Sequence, residues 1–120
     1  MDRQRFGTAS EALAARWLEQ AGLRILARNV RYPEGEIDLV AEEQGVLVFV
    51  EVRARQSTRF GTPEESLTAR KQARLRAAAE RYLAAHGQSE VDWRIDLVAV
   101  LSDRSGRPPQ VIHYRAAVTA

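Results

Sequence analysis

The stretch Gly35-Glu36-Ile37-Asp38-Leu39-Val40-Ala41-Glu42-Glu43-Gln44-Gly45-Val46-Leu47-Val48-Phe49-Val50-Glu51-Val52-Arg53 decides how this chain folds. Glu36 to Glu43 alternates apolar and polar side chains, the period of a strand with one face in a core. Val46 to Ala54 is rich in β-branched residues and reads as a second strand. Gln44-Gly45 between them is a two-residue turn, and such turns join antiparallel strands into hairpins. That turn pairs Glu43 with Val46, and the rest of the register follows. Leu39 then meets Val50, Ala41 meets Val48 and Ile37 meets Val52, an apolar face that supports the register. On the other face Val40 meets Phe49, Asp38 meets Glu51 and Glu36 meets Arg53.

This register sets two carboxylates, Asp38 and Glu51, opposite each other beside apolar Val40 and Phe49. Like charges so placed destabilise a sheet, and half burial strengthens the repulsion. A shared proton would relieve it. So would an arginine such as Arg53 or Arg94, in an ion-pair network on an exposed sheet face. A divalent cation is the third solution. Mg²⁺ (or Mn²⁺) suits it, because Mg²⁺ takes oxygen ligands, needs only one or two carboxylates, and leaves room for a substrate phosphate.

Outward from the hairpin, Thr8-Ala9-Ser10-Glu11 has the capping-box pattern of a helix start. Leu13, Ala14, Trp17, Leu18 and Ala21 follow at helical spacing, and Gly22 is a stop. Leu23 to Arg31 reads as a strand and Tyr32 to Gly35 as a turn. Beyond the hairpin, Arg55 to Pro63 is a loop. Pro63 to His86 reads as a long helix that ends before Gly87. Val91 to Leu101 is a further strand, and Val111 to Tyr114 an edge strand. The expected fold class is α/β in the broad sense, an α+β mixed sheet flanked by helices in the order αβββαβ, as a single domain over residues 1–120.

On a helical wheel begun at Leu67, Lys71 falls between Ala78 and Tyr82, at about 40° from the origin. It is the only lysine among 18 basic residues, and it sits within the apolar stripe. Burying an ammonium costs free energy unless a carboxylate or phosphate answers it; snorkelling at a helix start is the plainer account. Arg70, Arg74 and Arg81 flank the stripe, as a phosphate-facing rim or as a solvated face. The abundance of arginine by itself says little about nucleic acid.

The chain has 120 residues, no cysteine, 45% hydrophobic and 28% charged residues, and a net charge of +2. Disulfides, thiolate metal sites and thiol nucleophiles are thereby excluded. No apolar run approaches the length of a membrane span, and no secretory signal is visible, so the expected location is cytoplasmic, with no membrane partner.

The hairpin string, from Gly35 to Ala41 and from Leu47 to Arg53, resembles the YraN family, an uncharacterised bacterial family with an endonuclease-like fold. Gly7 with Glu11-Ala12, Asn29-Val30-Arg31, Lys71 with Arg74-Leu75, and Arg94 to Val100 extend the resemblance over nearly the whole chain. The family is similar in fold to restriction endonucleases and Holliday-junction resolvases. Those enzymes use an acid, then an acid-x-Lys triplet on the next strand, to bind Mg²⁺ and cleave phosphodiesters. By position, the resemblance implies that Asp38 is the first acid and Glu51 the second. The Val52 carbonyl would be a further metal ligand, and Glu11 the acid that some resolvases place on helix one. The triplet departs from the pattern at Arg53, which stays protonated and cannot act as a general base. Lys71 would supply the missing ammonium, and Arg53 would hold a phosphate oxygen.

The expected activity is Mg²⁺-dependent endonuclease action on DNA, including branched or structured DNA. The alternative is a nucleic-acid-binding protein of the same fold without catalysis. Arg55, Arg59, Arg70 and Arg74 would hold the nucleic-acid backbone, with Phe60 in the Ser57–Pro63 loop either stacked on a base or, more commonly for such a residue, packed under the loop. A homodimer is compatible by analogy with resolvases. Asp96 either approaches the metal site from a strand parallel to Val46–Ala54 or forms a salt bridge with Arg53 or Arg94.

Overall fold

A computed structural model describes residues 3–56, 62–103 and 105–118, with side chains from residue 9 onward. Helix α1 (Arg3–Gln20) leads into strands β1 (Arg24–Tyr32), β2 (Gly35–Glu43) and β3 (Val46–Arg55). A single 3-10 turn (Glu64–Ser66), helix α2 (Ala69–Ala85), and strands β4 (Trp93–Leu101) and β5 (Gln110–Val118) complete the chain. The five strands form one sheet in sequence order. All neighbours are antiparallel except β3 and β4, which run parallel after the α2 crossover. This is the α+β mixed sheet of a restriction-endonuclease-like αβββαβ core, with β5 added at one edge. The expected residues Arg59 and Phe60 lie outside the described residues.

The hairpin forms for the reason its sequence suggests. Gln44 and Gly45 both adopt positive φ, 50° and 83°, the handedness that matches the twist of the flanking strands. Pairing runs from Glu43–Val46 through Leu39–Val50, in the expected register. It ends there. The expected pairs Asp38–Glu51, Ile37–Val52 and Glu36–Arg53 are not formed, because the Asp38 carboxylate accepts the Val52 N–H at 2.8 Å in place of a backbone carbonyl. Ile37 consequently joins the α2 side of the core and not the face of Leu39 and Ala41.

The two faces of the sheet are covered separately. On one, Ala14, Ala15 and Leu18 of α1 pack against Leu39, Ala41, Val48, Val50 and Val98. Both alanines are fully buried, and small side chains let the helix lie close to the sheet. On the other, Leu75, Ala78, Ala79, Tyr82 and Leu83 of α2 pack against Ile37, Val40, Leu47, Phe49, Ile95 and Leu97. Each of the large apolar side chains so buried contributes about 1.5–3 kcal/mol.

Both helices depart from their expected bounds. Helix α1 begins at Arg3, so Thr8 to Glu11 is helix interior and Glu11 is not a capping acid. The Pro63–His86 helix is broken. Thr62 and Glu65 exchange hydrogen bonds around the 3-10 turn. Thr68 then takes an extended conformation and caps α2, its hydroxyl accepting the Lys71 N–H at 3.2 Å. The first strand, β4 and β5 are within a few residues of expectation, with β5 extending to Val118. No helix among the described residues is long and apolar enough to cross a membrane.

Candidate functional site

Where β2 parts from β3, a cleft of about 190 Å³ opens beneath the first turns of α2. Gly35, Glu36 and Asp38 of β2, Glu51 and Arg53 of β3, and Lys71, Arg74 and Leu75 of α2 line it. The two acids are on the same side of the sheet, the side of Val40 and Phe49. Their carboxyl groups lie close enough that each acts on the ionisation of the other. Burial, and then the charge of Glu51, push the Asp38 carboxyl up to about 8, against the opposing pull of the Val52 N–H. Burial also raises Glu51, while Arg53 and, more weakly, Lys71 pull it back. Of the ways to relieve two facing carboxylates, the raised carboxyls favour a retained proton, and Arg53 supplies a nearby cation.

Arg53 is that nearby cation, and it is poorly matched to its acid. Its Nε lies 3.8 Å from a Glu51 carboxylate oxygen, too far for a hydrogen bond. This N–H is buried and has no acceptor. A buried donor without a partner carries a desolvation cost, and an acceptor entering the cleft would remove it.

Lys71 corrects an expectation. It lines the cleft but is solvent-exposed, not embedded in the apolar stripe. Leu67, the origin of the expected wheel, belongs to the preceding turn and not to α2. Measured from Leu75, Lys71 lies about 40° away and still within the angular span of the buried stripe, so its exposure comes from its place along the axis. It lies in the first turn, where the helix overhangs the cleft and no longer the core. Arg74 also lines the cleft, whereas Arg70 and Arg55 do not. Val52 packs at the edge of the α1 core and gives its N–H to Asp38.

Glu11 reaches the neighbourhood from α1. Burial raises its carboxyl, the Asp38 charge adds to that, and a hydrogen bond with the Asn29 side chain opposes it. Asn29 sits at φ 52° in β1, a conformation that asparagine tolerates better than most residues. Asp96 does not join the site. It is fully buried and takes hydrogen bonds from Arg94 Nε (3.0 Å), His113 Nε2 (2.7 Å) and the Ala116 N–H (2.8 Å). Of the two expected outcomes for Asp96, the salt bridge with Arg94 is the one formed.

Sequence reading passed over two cleft residues. Glu36 shares the face of Asp38, and that two-residue spacing was the available signal. Gly35 was read only as a turn residue. A β-carbon there would lie 2.9 Å from the Arg74 carbonyl oxygen, a contact between distant segments that no local pattern displays.

Among the described residues no group of three or more His, Asp or Glu gathers around one point. The acid pair nonetheless fits Mg²⁺ or Mn²⁺, which commonly bind through one or two carboxylates and keep several waters. Two neighbouring carboxyl groups whose ionisation burial opposes make a donor set that a dication would complete.

A model of the uncharacterised protein family UPF0102 matches residues 10–100. A UPF0102 protein of Beutenbergia cavernae is 50% identical over 109 residues, covering 91% of this chain and 92% of its own length. Similar proteins occur in Pelotomaculum thermopropionicum, 46% identical with 96% of each chain covered, and in Moorella thermoacetica, 50% identical with 89% of each covered.

Proposed function

The chain belongs to the uncharacterised protein family UPF0102, the YraN-like proteins, and within that family we propose that its acid cleft hydrolyses phosphodiester bonds of DNA with the help of Mg²⁺ or Mn²⁺. One observation carries the reading. Two half-buried carboxyl groups, both raised by burial, face an arginine whose buried N–H has no acceptor, with a lysine and a second arginine at the rim. Acids that hold a cation and bases that hold an anion are thus collected in one cleft, and a metal-bound phosphate would satisfy both.

Asp38 and Glu51 would hold the ion, with the Val52 carbonyl as a further ligand. When bound, such a cation lowers the pKa of a water and polarises the scissile phosphate. Arg53 would donate its free N–H to a non-bridging phosphate oxygen. That contact favours the transition state if the oxygen gains charge there. Lys71, exposed at the mouth, would orient the attacking water and offset charge. Arg74, with Arg55 and Arg70 farther out, would hold the flanking backbone, a contact that salt weakens. Glu11, hydrogen-bonded through Asn29, would steady the Asp38 side of the cleft and is a positioning residue.

A second reading is favoured by Arg53 itself. Arginine cannot take up a proton in the triplet's third position, and the exposure of Lys71 leaves its amine well solvated. On this reading the protein binds nucleic acid in the cleft without cutting it.

The test is twofold. Thermal unfolding with added Mg²⁺ or Mn²⁺ is expected to show stabilisation that Asp38→Asn and Glu51→Gln each abolish; an unchanged melting temperature in the wild type removes the metal site. Cleavage of duplex, flapped and four-way DNA is expected to require the metal and to fall by at least about 100-fold in Lys71→Ala. Tight, salt-sensitive binding of the same DNAs with no product would establish the second reading.

A further inference from the structure

A second cavity, about 370 Å³ and larger than the acid cleft, lies at the far end of the parallel pair β3 and β4. Gln56, Leu101, Ser102, Asp103, Arg107, Pro108 and Gln110 line it, and all but Leu101 and Ser102 are solvent-exposed, so it is an open hollow on the surface. Its volume falls within the range of small-molecule sites.

The walls are held by the backbone. Ser102 donates its N–H to the Arg55 carbonyl at 2.9 Å, which fastens the end of β4 to the end of β3. Asp103 accepts the Ser105 N–H at 2.9 Å and also the Ser105 hydroxyl. That hydroxyl in turn accepts the Arg107 N–H at 3.3 Å. The turn that carries Arg107 and Pro108 is therefore internally braced. Among the described residues no side-chain hydrogen bond engages the Gln56 or Gln110 amide.

The chemistry of the lining selects a ligand class. Each glutamine amide offers one acceptor and two donor hydrogens. Leu101 and Pro108 add apolar wall. Asp103 sets a negative charge against Arg107, so the cavity is no trap for a bare phosphate. A flat, uncharged ring with donors and acceptors on its edge fits this combination, as a nucleobase does.

Placement ties the cavity to the acid cleft. Glu51, Arg53 and Arg55 lie on one face of β3, since alternate strand residues share a face. Leu101 is the paired neighbour of Arg55. From Glu51 to Arg55 the strand advances roughly 13 Å, so the arginine row leads from the acids towards the second cavity. We propose that this cavity is a base subsite, holding the nucleobase of a nucleotide that flanks the reacting phosphodiester while Arg55 contacts the phosphate between. The flanking role rests on the phosphodiester reading of the acid cleft; base binding itself does not.

The test uses the full chain and follows the side-chain amide signals of Gln56 and Gln110, and the backbone amides of Lys71 and Arg74, by NMR. The probes are the four deoxynucleosides, free deoxyribose, and a short single-stranded oligonucleotide with or without an abasic position. The expected result is that at least one nucleoside moves both glutamine signals and deoxyribose moves neither. Gln110→Ala should weaken that nucleoside at least about fivefold. The intact oligonucleotide should move both sets of signals and lose affinity when the flanking base is removed. Glutamine signals unmoved by every nucleoside, or moved equally by deoxyribose, overturn the subsite. If intact and abasic oligonucleotides move Lys71 and Arg74 equally while the glutamines stay still, the subsite fails and the acid-cleft reading survives. If nucleosides move the glutamines but no oligonucleotide moves Lys71 or Arg74, the base pocket stands and the phosphodiester reading falls.

Discussion

Asp38 shows how a single side chain can unmake the register that placed it. A carboxylate opposite Glu51 would repel it; by turning to the Val52 N–H, Asp38 ends the β2–β3 ladder and opens the cleft. The cost appears in its protonation. Burial and Glu51 raise its carboxyl from 3.8 to about 8, so the folded protein binds a proton that the unfolded chain releases across that interval. Stability that depends on this proton is fully present at the acid end and lost as pH rises towards 8. Metal-free wild type is expected to melt at progressively lower temperature between about pH 5 and pH 8. Asp38→Asn, which keeps the side chain neutral, should flatten that slope. A profile equally steep in wild type and variant would show that the proton resides elsewhere. Because a bound dication competes with the same proton, stabilisation by Mn²⁺ should be larger at pH 8 than at pH 6.

At the scale of elements, the cleft depends on how α2 meets the start of β2. The contact is close, with the Arg74 carbonyl against Gly35. Gly35→Ala places a β-carbon 2.9 Å from a backbone oxygen, and neither partner is a flexible side chain that could swing away. Overpacking of this kind costs about 1–3 kcal/mol, readable as a lower denaturation midpoint in urea. It should also shift the Lys71 and Arg74 rim away from the acids. Thr68→Ala is the matching test at the helix end. Loss of the cap should cost about 1 kcal/mol and fray the turn that carries Lys71, while leaving the sheet intact. A full-strength melting transition in both variants would mean that α2 is held by its buried stripe alone.

For the molecule as a whole, the end of the sheet opposite the acid cleft is tied by charges. Arg94 of β4 links Glu43 of β2 at 2.8 Å and Asp96 at 3.0 Å, and Arg115 of β5 reaches the same Glu43. Trp17 of α1 covers the ring of His113 edge-on at 5.6 Å. Opposite Asp96, β5 bulges through Ala116, which sits at φ 52° with its N–H on the Asp96 carboxylate. Burial pushes the Asp96 carboxyl up, but His113, Arg94 and the Ala116 N–H outweigh it and hold it below the ordinary carboxylate range. The stability this gives is present above the ordinary pKa and is lost as pH falls through the folded value, the opposite sense to Asp38. Asp96→Ala strands a buried arginine bond, a histidine and a backbone N–H together. Its expected cost is about 3–5 kcal/mol, enough to abolish cooperative unfolding or to leave β5 unprotected in hydrogen exchange. A loss below 1 kcal/mol would reduce the network to a surface ion pair.

The order of elements, the hairpin turn and its first five pairs are written locally, in alternation and in a Gln-Gly step, because short-range sterics and burial of one face decide them. The acid pair was legible for the same reason: two residues at fixed distances from a tight turn must come near each other. The break in helix two was not legible, and the exposure of Lys71 was legible only as the snorkelling alternative. Apolar spacing continues across the Leu67–Thr68 junction, and only the packing of α2 on β2 decides where the axis starts. Asp96 was legible as a strand acid with Arg94 as one of its expected partners, but its burial and its bonds to His113 and the Ala116 N–H were not, since those groups reach it from a second strand. Contacts between segments far apart in the chain depend on how layers stack, and that geometry exists only once the whole core has closed.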